Sequence, residues 1–206
     1  MSVIDRIFSR EMERRLRAAD EANRVEGIPL VDYDLYTPRF RQTFAAALEM
    51  LKVKDPRRFR RICRYVKGIV ALPIGHAEAG YIEPLKVCAV RFQAPPSEEK
   101  LRQYAAWYAS ILVHEATHGL IHARKIPYDE HYRERIERLC FQEENRFLRR
   151  LGLTPESLAK IRQIKSFNGE AYRRNWASSF WSRWRQSVRY QKARKQHEQR
   201  LRDEKV

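Results

Sequence analysis

Cysteine is scarce in this 206-residue chain, which has three, Cys63, Cys88 and Cys140, far apart and without a CxxC pair. An odd, scattered set argues against a disulfide framework and leads us to expect a reducing, cytoplasmic setting. Glycine and proline are also sparse, at seven and nine, which disfavours a turn-rich all-β design and favours long helices. No window reaches the roughly 18 apolar residues of a membrane span. The opening stretch "MSVIDRIFSREMERRLRAADEA" holds no uninterrupted apolar core, so no secretory signal is expected there.

What the chain does have is charge laid over an ample hydrophobic content. With 43% hydrophobic and 33% charged residues it reads as soluble and globular, long enough for one well-buried domain. We expect that domain at residues 1–182, with an amphipathic N-terminal helix (1–26) packed on it and a basic helical tail at 183–206. The net charge of +16 is uneven: residues 1–26 carry six basic and six acidic side chains, residues 183–206 nine and three. A second basic concentration, "KVKDPRRFRRICRYVK", occupies 52–67. Such patches suit nucleic acid, anionic lipid or an acidic partner, although a solvated arginine-rich surface has the same signature.

Periodicity and capping residues divide the chain. Residues 3–22 form an amphipathic helix with Ile4, Ile7, Phe8, Met12 and Leu16 on one side, and "EGIPLVDYDLYTPRF" reads as a loop. Thr37-Pro38 and Asp55-Pro56 each supply a cap and a first-turn proline, the second helix closing at Gly68. "GIVALPIG" and "LKVCAVRF" are short strands of a small sheet, separated by "HAEAGYIEP". A helix starts at Ser97 and runs to about Ala123; Asp129 caps the next, which ends near Gly152. Thr154-Pro155 opens a short helix, and a last one begins near Glu170, with Tyr172, Trp176, Phe180, Trp184 and Val188 as its docked face. The fold class expected is α+β, predominantly α-helical, with a small sheet beside a two-helix core and flanking terminal helices.

The chemistry concentrates in "ILVHEATHGLIHA", residues 111–123, where three histidines and a glutamate interrupt an apolar run. His114 and His118 stand one helical turn apart, so both imidazoles reach one ion, and Glu115 lies beside them within reach of a water on it. This HExxH spacing is that of two zinc ligands and a general base. His122 continues the series, but is carried up the helix away from a shared ion; an outer-shell role is open to it.

A catalytic zinc ion needs a third protein ligand, and the next helix offers one. At about 100° per residue, Ile136, Leu139, Cys140, Phe141, Phe147, Leu148 and Leu151 form a broad apolar arc, with Glu137 and Glu144 projecting inside it at nearly one angle. Glu143 also falls within the arc, toward the Leu139 side, while Glu134 and Arg138 point outward. Carboxylates aimed into a core are costly unless a cation or donors meet them. Cys140, near the Glu137 face, reads as small core filler.

HEATH and Glu137, separated by 18 residues, resemble the gluzincin metallopeptidases, and the stretch 111–151 is also similar to small, uncharacterised bacterial zinc peptidase-like proteins. The resemblance covers about 40 residues and implies a zincin-like core holding one zinc ion per chain. His114, His118 and Glu137 would be ligands and Glu115 the base, with Glu144 the runner-up ligand or an outer-shell partner. The sequence departs from the thermolysin-like ExxxD signature, since position 141 is Phe141. Tyr128, His131 and Tyr132 are candidate transition-state stabilisers, while His76 and Tyr81 read as turn residues that could frame a cleft. The function expected is a zinc-dependent peptidase acting on a peptide or protein substrate, with a strand edge available to pair with it. The alternative is a non-catalytic zinc-containing nucleic-acid-binding or regulatory protein that uses the basic segments 52–67 and 183–206.

Overall fold

A computed structural model describes residues 3–33, 37–72 and 78–153. Five helices and five strands occur among them: α1 (Val3–Ala18), β1 (Arg24–Val25), β2 (Ile28–Asp32), α2 (Thr37–Lys54), α3 (Pro56–Tyr65), β3 (Gly68–Ala71), β4 (Ala79–Ile82), β5 (Val87–Val90), α4 (Glu98–Ala123) and α5 (Glu130–Arg150). The fold is α+β and predominantly helical, as expected. The helices expected after Thr154 and near Glu170, the tail 183–206 and His76 lie outside the described residues.

The strands form one sheet in the order β1-β2-β3-β5-β4. β2, β3 and β5 are parallel, β1 and β4 are antiparallel to their neighbours, and β4 is one edge. All four residues of β3 and of β5 are buried, because both faces of the sheet are covered. Alternation decides which side chain goes where. Ile69, Ala71, Cys88 and Val90 join the core formed with α2–α5. Val70, Val87 and Ala89 turn the other way, onto Met12 of α1 with Leu16 beside it.

Three expectations need correction. The segment read as a loop contains β2, whose Ile28, Leu30 and Val31 are buried and whose Leu30 pairs with Ile69 of β3. It enters through a tight hairpin turn in which Glu26 and Gly27 both have positive φ. The separator between the two expected strands supplies β4. Gly68 does not close α3, which ends at Tyr65; it begins β3, where an added Cβ would come within 2.3 Å of Leu16.

Helix α4 is the centre of the molecule. Its residues from Ala105 to Thr117 are buried without interruption, and α2, α3 and α5 pack around it. A helix apolar all round is stable only in such a sheath. Trp107 stacks on Tyr108 at 4.8 Å, and Phe40, Phe44 and Phe92 gather beside them, each buried ring worth about 1.5–3 kcal/mol. An ionic staple then fixes α5 against α3. Arg58 bonds Asp55 and lies 3.1 Å from Glu143. Arg61 lies 2.9 Å from Glu143 and donates to Thr117 of α4 at 3.3 Å.

Candidate metal centre

The α4–α5 contact brings the HExxH residues and the expected carboxylates together. His114 Nε2 and His118 Nε2 are 3.2 Å apart. Glu137 stands across from both, Oε2 3.3 Å from His114 Nε2 and Oε1 3.3 Å from His118 Nε2. Donors arranged tetrahedrally around an ion at about 2.0–2.1 Å are separated by roughly 3.3–3.4 Å. The two imidazoles and the carboxylate therefore stand at separations close to those around a small divalent cation, each imidazole facing a different oxygen of Glu137.

Glu144 takes a different place. It is 1% exposed; its Oε2 is 3.3 Å from His114 Nδ1, and its Oε1 accepts from Ser110 Oγ at 3.0 Å. It thus faces the ring nitrogen turned away from Glu137, the position of an outer-shell carboxylate that sets an imidazole tautomer. Phe141 packs edge-on against the His114 ring at 4.9 Å. Ser110 was not singled out from sequence; its signal is the i−4 position relative to His114 on one helix face.

Glu115 is 5% exposed and its Oε2 has no hydrogen-bond partner among the described residues. Burial pushes its pKa up. An orphaned buried carboxylate oxygen is costly, and this one lies beside the two histidines, where a water on a bound cation would satisfy it. The donor set fits zinc on two counts: two imidazoles and a carboxylate suit that ion, and the unpartnered oxygen matches a base waiting for its water. Without a cation, protons take its place. Burial disfavours the His114 cation, but Glu137 and Glu144 on its two nitrogens outweigh that and raise its pKa to about 10. Burial likewise opposes ionisation of Glu137, yet the hydrogen bonds with His114 and His118 hold its carboxyl well below the ordinary range.

Tyr128, in the loop after α4, donates to Glu137 Oε1 at 2.5 Å and meets the His118 ring edge-on at 5.5 Å. His131 and Tyr132 sit instead on the exposed first turn of α5, whose cap Asp129 accepts from both their backbone amides. His122 lies 2.8 Å from Glu83, half-exposed, and is directed to that carboxylate and not to the other histidines. Tyr81 of β4 donates to Tyr65 O at 2.9 Å, and burial raises its pKa to about 12. It lies so close to α4 that a Cβ on Gly119 would stand 2.9 Å from its hydroxyl, so only glycine lets β4 approach the helix beside His118. Leu139, placed within the apolar arc by periodicity, is 44% exposed; it projects about 200° from Glu137, away from α4. Cys140 is fully buried against Ile121 and Ile136, and its Sγ and donor nitrogens of His114 and His118 lie within 4.8 Å of one another.

No protein-family model matches the chain, and no curated protein or solved structure is significantly similar to it. No helix among the described residues is long and apolar enough to cross a membrane.

Proposed function

We propose that the protein is a zinc-dependent peptidase in which His114, His118 and Glu137 hold the ion and Glu115 is the general base. The observation that carries this reading is the set of donor separations, 3.2–3.3 Å among the three groups, beside a buried carboxylate with an unpartnered oxygen. A bound zinc ion would lower the pKa of a water and polarise a scissile carbonyl. The chain does the rest. Glu115 Oε2 takes the proton from the attacking water and delivers it to the leaving amine, and burial suits it to hold that proton briefly. Glu144, itself held by Ser110, keeps the His114 proton on Nδ1 and leaves Nε2 free to ligate. Tyr128 positions Glu137 through its hydroxyl. Among the described residues β4 has one neighbour in the sheet, β5, and its other edge would be the place to pair with an extended peptide. The test is Glu115→Gln: it should retain zinc and lose hydrolysis of a peptide that the wild type cleaves. Equal hydrolysis by both would reject Glu115 as the base.

A second reading has one observation behind it. On α3, Arg57, Arg60 and Arg64 are exposed, the helix has no acidic residue, and Lys67 follows just beyond. By contrast α1 pairs Arg14, Arg15 and Arg17 with Glu11 and Glu13. A cationic stripe of this kind is suited to a nucleic-acid backbone, and the protein would then use its metal without catalysis. Four phosphate contacts would give binding to duplex DNA a log–log salt slope of about −3.6; no binding at low salt would dismiss it.

A further inference from the structure

The proposed reaction leaves one sulfur at the centre without a role. Cys140 follows Glu137 by three residues on α5, so its side chain leaves the helix only about 60° from the carboxylate. It is 0% exposed. Ile121 and Ile136 pack on it, but the two imidazoles are also at hand: Sγ and the donor nitrogens of His114 and His118 all lie within 4.8 Å of one another. In a tetrahedral zinc site, with zinc–sulfur near 2.3 Å and zinc–nitrogen near 2.0–2.1 Å, sulfur and nitrogen are separated by roughly 3.6 Å. Closing that gap takes at most about an ångström of side-chain movement, well within a change of χ1. Glu115 Oε2, near both the imidazoles and Cys140, is buried and has no hydrogen-bond partner among the described residues, so the surroundings of the sulfur hold an unsatisfied polar atom.

We propose that Cys140 is a fourth protein ligand of the centre, and that the centre therefore has a closed and an open form. This rests on the metal-binding reading above. In the closed form His114, His118, Glu137 and Cys140 complete a tetrahedron, the arrangement of a site with no position for substrate. In the open form the sulfur is withdrawn against Ile121 and Ile136, and a water occupies its place beside Glu115. Closing forms the sulfur–metal bond, releases the Sγ–H proton to solvent and expels the water. Opening returns a proton to the sulfur and readmits the water, and no electron is transferred in either direction. The peptidase would thus be latent until a substrate displaces the thiolate.

Zinc-edge X-ray absorption on the zinc-loaded full chain tests this. The expected spectrum has one sulfur at about 2.3 Å in addition to nitrogen and oxygen at about 2.0–2.1 Å. In Cys140→Ala the sulfur shell should vanish while one equivalent of zinc is retained. With cobalt in place of zinc, the sulfur-to-cobalt charge-transfer absorption of the wild type should be lost in the same variant. A wild-type spectrum with only nitrogen and oxygen, at full zinc occupancy, overturns the role of Cys140 and leaves the metal site intact. A sulfur shell that persists in Cys140→Ala overturns it equally. Failure of the wild type to take up zinc at all overturns both readings. If Cys140→Ala does not fold, the wild-type spectrum alone decides.

Discussion

Two groups of carboxylates lie among α3, α4 and α5, with Asp55, Glu137 and Glu144 buried and Glu143 half-buried, and they are neutralised by different chemistry. Asp55 and Glu143 meet arginines: Arg58 touches both, and Arg61 and Arg146 complete the shell around Glu143. Burial disfavours the Glu143 anion, but these guanidinium groups hold its pKa below the ordinary value. Glu137 and Glu144 meet histidines instead. Arginine cannot give up its proton or ligate a metal, so the first group can only be a staple. Imidazole can do both. The second group can therefore hold a proton and, on the reading proposed above, a cation; α5 contributes Glu143 to the first group and Glu137 and Glu144 to the second.

The largest expected effect falls on the histidine side. Removing the general base with Glu115→Gln should lower kcat for peptide hydrolysis by about 10²–10⁴-fold with zinc content unchanged. Next is the arginine side: Arg58→Ala leaves Asp55, which is 0% exposed, with only the more distant Arg150 as a charged partner at 3.5 Å, and should cost up to about 3 kcal/mol in denaturant unfolding. Metal stoichiometry of whatever remains folded should be unaffected. Glu144→Gln keeps shape but removes the charge beside His114 Nδ1, and should weaken zinc binding by about 10–100-fold in a competition with a chelator. If Glu144→Gln abolished binding outright, Glu144 would be a ligand and not a support.

A smaller effect separates the two groups by pH in metal-free protein. The native His114 pKa of about 10 lies above its ordinary 6.5. Between those values the folded state binds a proton that the unfolded state does not, so unfolding free energy falls as pH rises. That contribution is full below about 6.5 and gone above about 10. Glu143 is depressed, so its contribution is full above its ordinary 4.5 and lost in acid as pH falls through the lowered value. Thermal midpoints measured in chelator should therefore decline on the alkaline side. Zinc should reverse that slope, because its ligands must be deprotonated. An alkaline decline that persists unchanged in His114→Gln would show that the histidine group is not its origin.

The centre was legible in the sequence because helical geometry is regular. HExxH and a glutamate beyond an 18-residue spacer are one-dimensional statements of a two-helix site, and the angular coincidence of Glu137 with Glu144 already set both against α4. The spacing favoured Glu137 over Glu144, but which carboxylate faces Nε2 and which faces Nδ1 could not be read from it. Ser110 was invisible for the same reason. Among the strands, β3 and β5 announced themselves by β-branched runs, whereas β2 did not. Pro29 and the acidic, proline-bounded segment after it read as turn chemistry, yet pairing with Ile69 and Val70 overrides that local signal. The staple could not be read from the sequence because Arg58 and Arg61, which tie Glu143 to α3, lie more than 80 residues away from it. Leu139 shows the limit of an apolar arc drawn without knowing where the neighbouring helix sits.

The most direct measurement is the metal content of the purified full chain, by mass spectrometry, for wild type, Glu137→Ala and Glu143→Ala. The expected result is about one equivalent of zinc in the wild type, lost in Glu137→Ala and kept in Glu143→Ala. No zinc in the wild type after reconstitution, or zinc retained in Glu137→Ala, would contradict the assignment of the histidine-faced carboxylates to a metal centre.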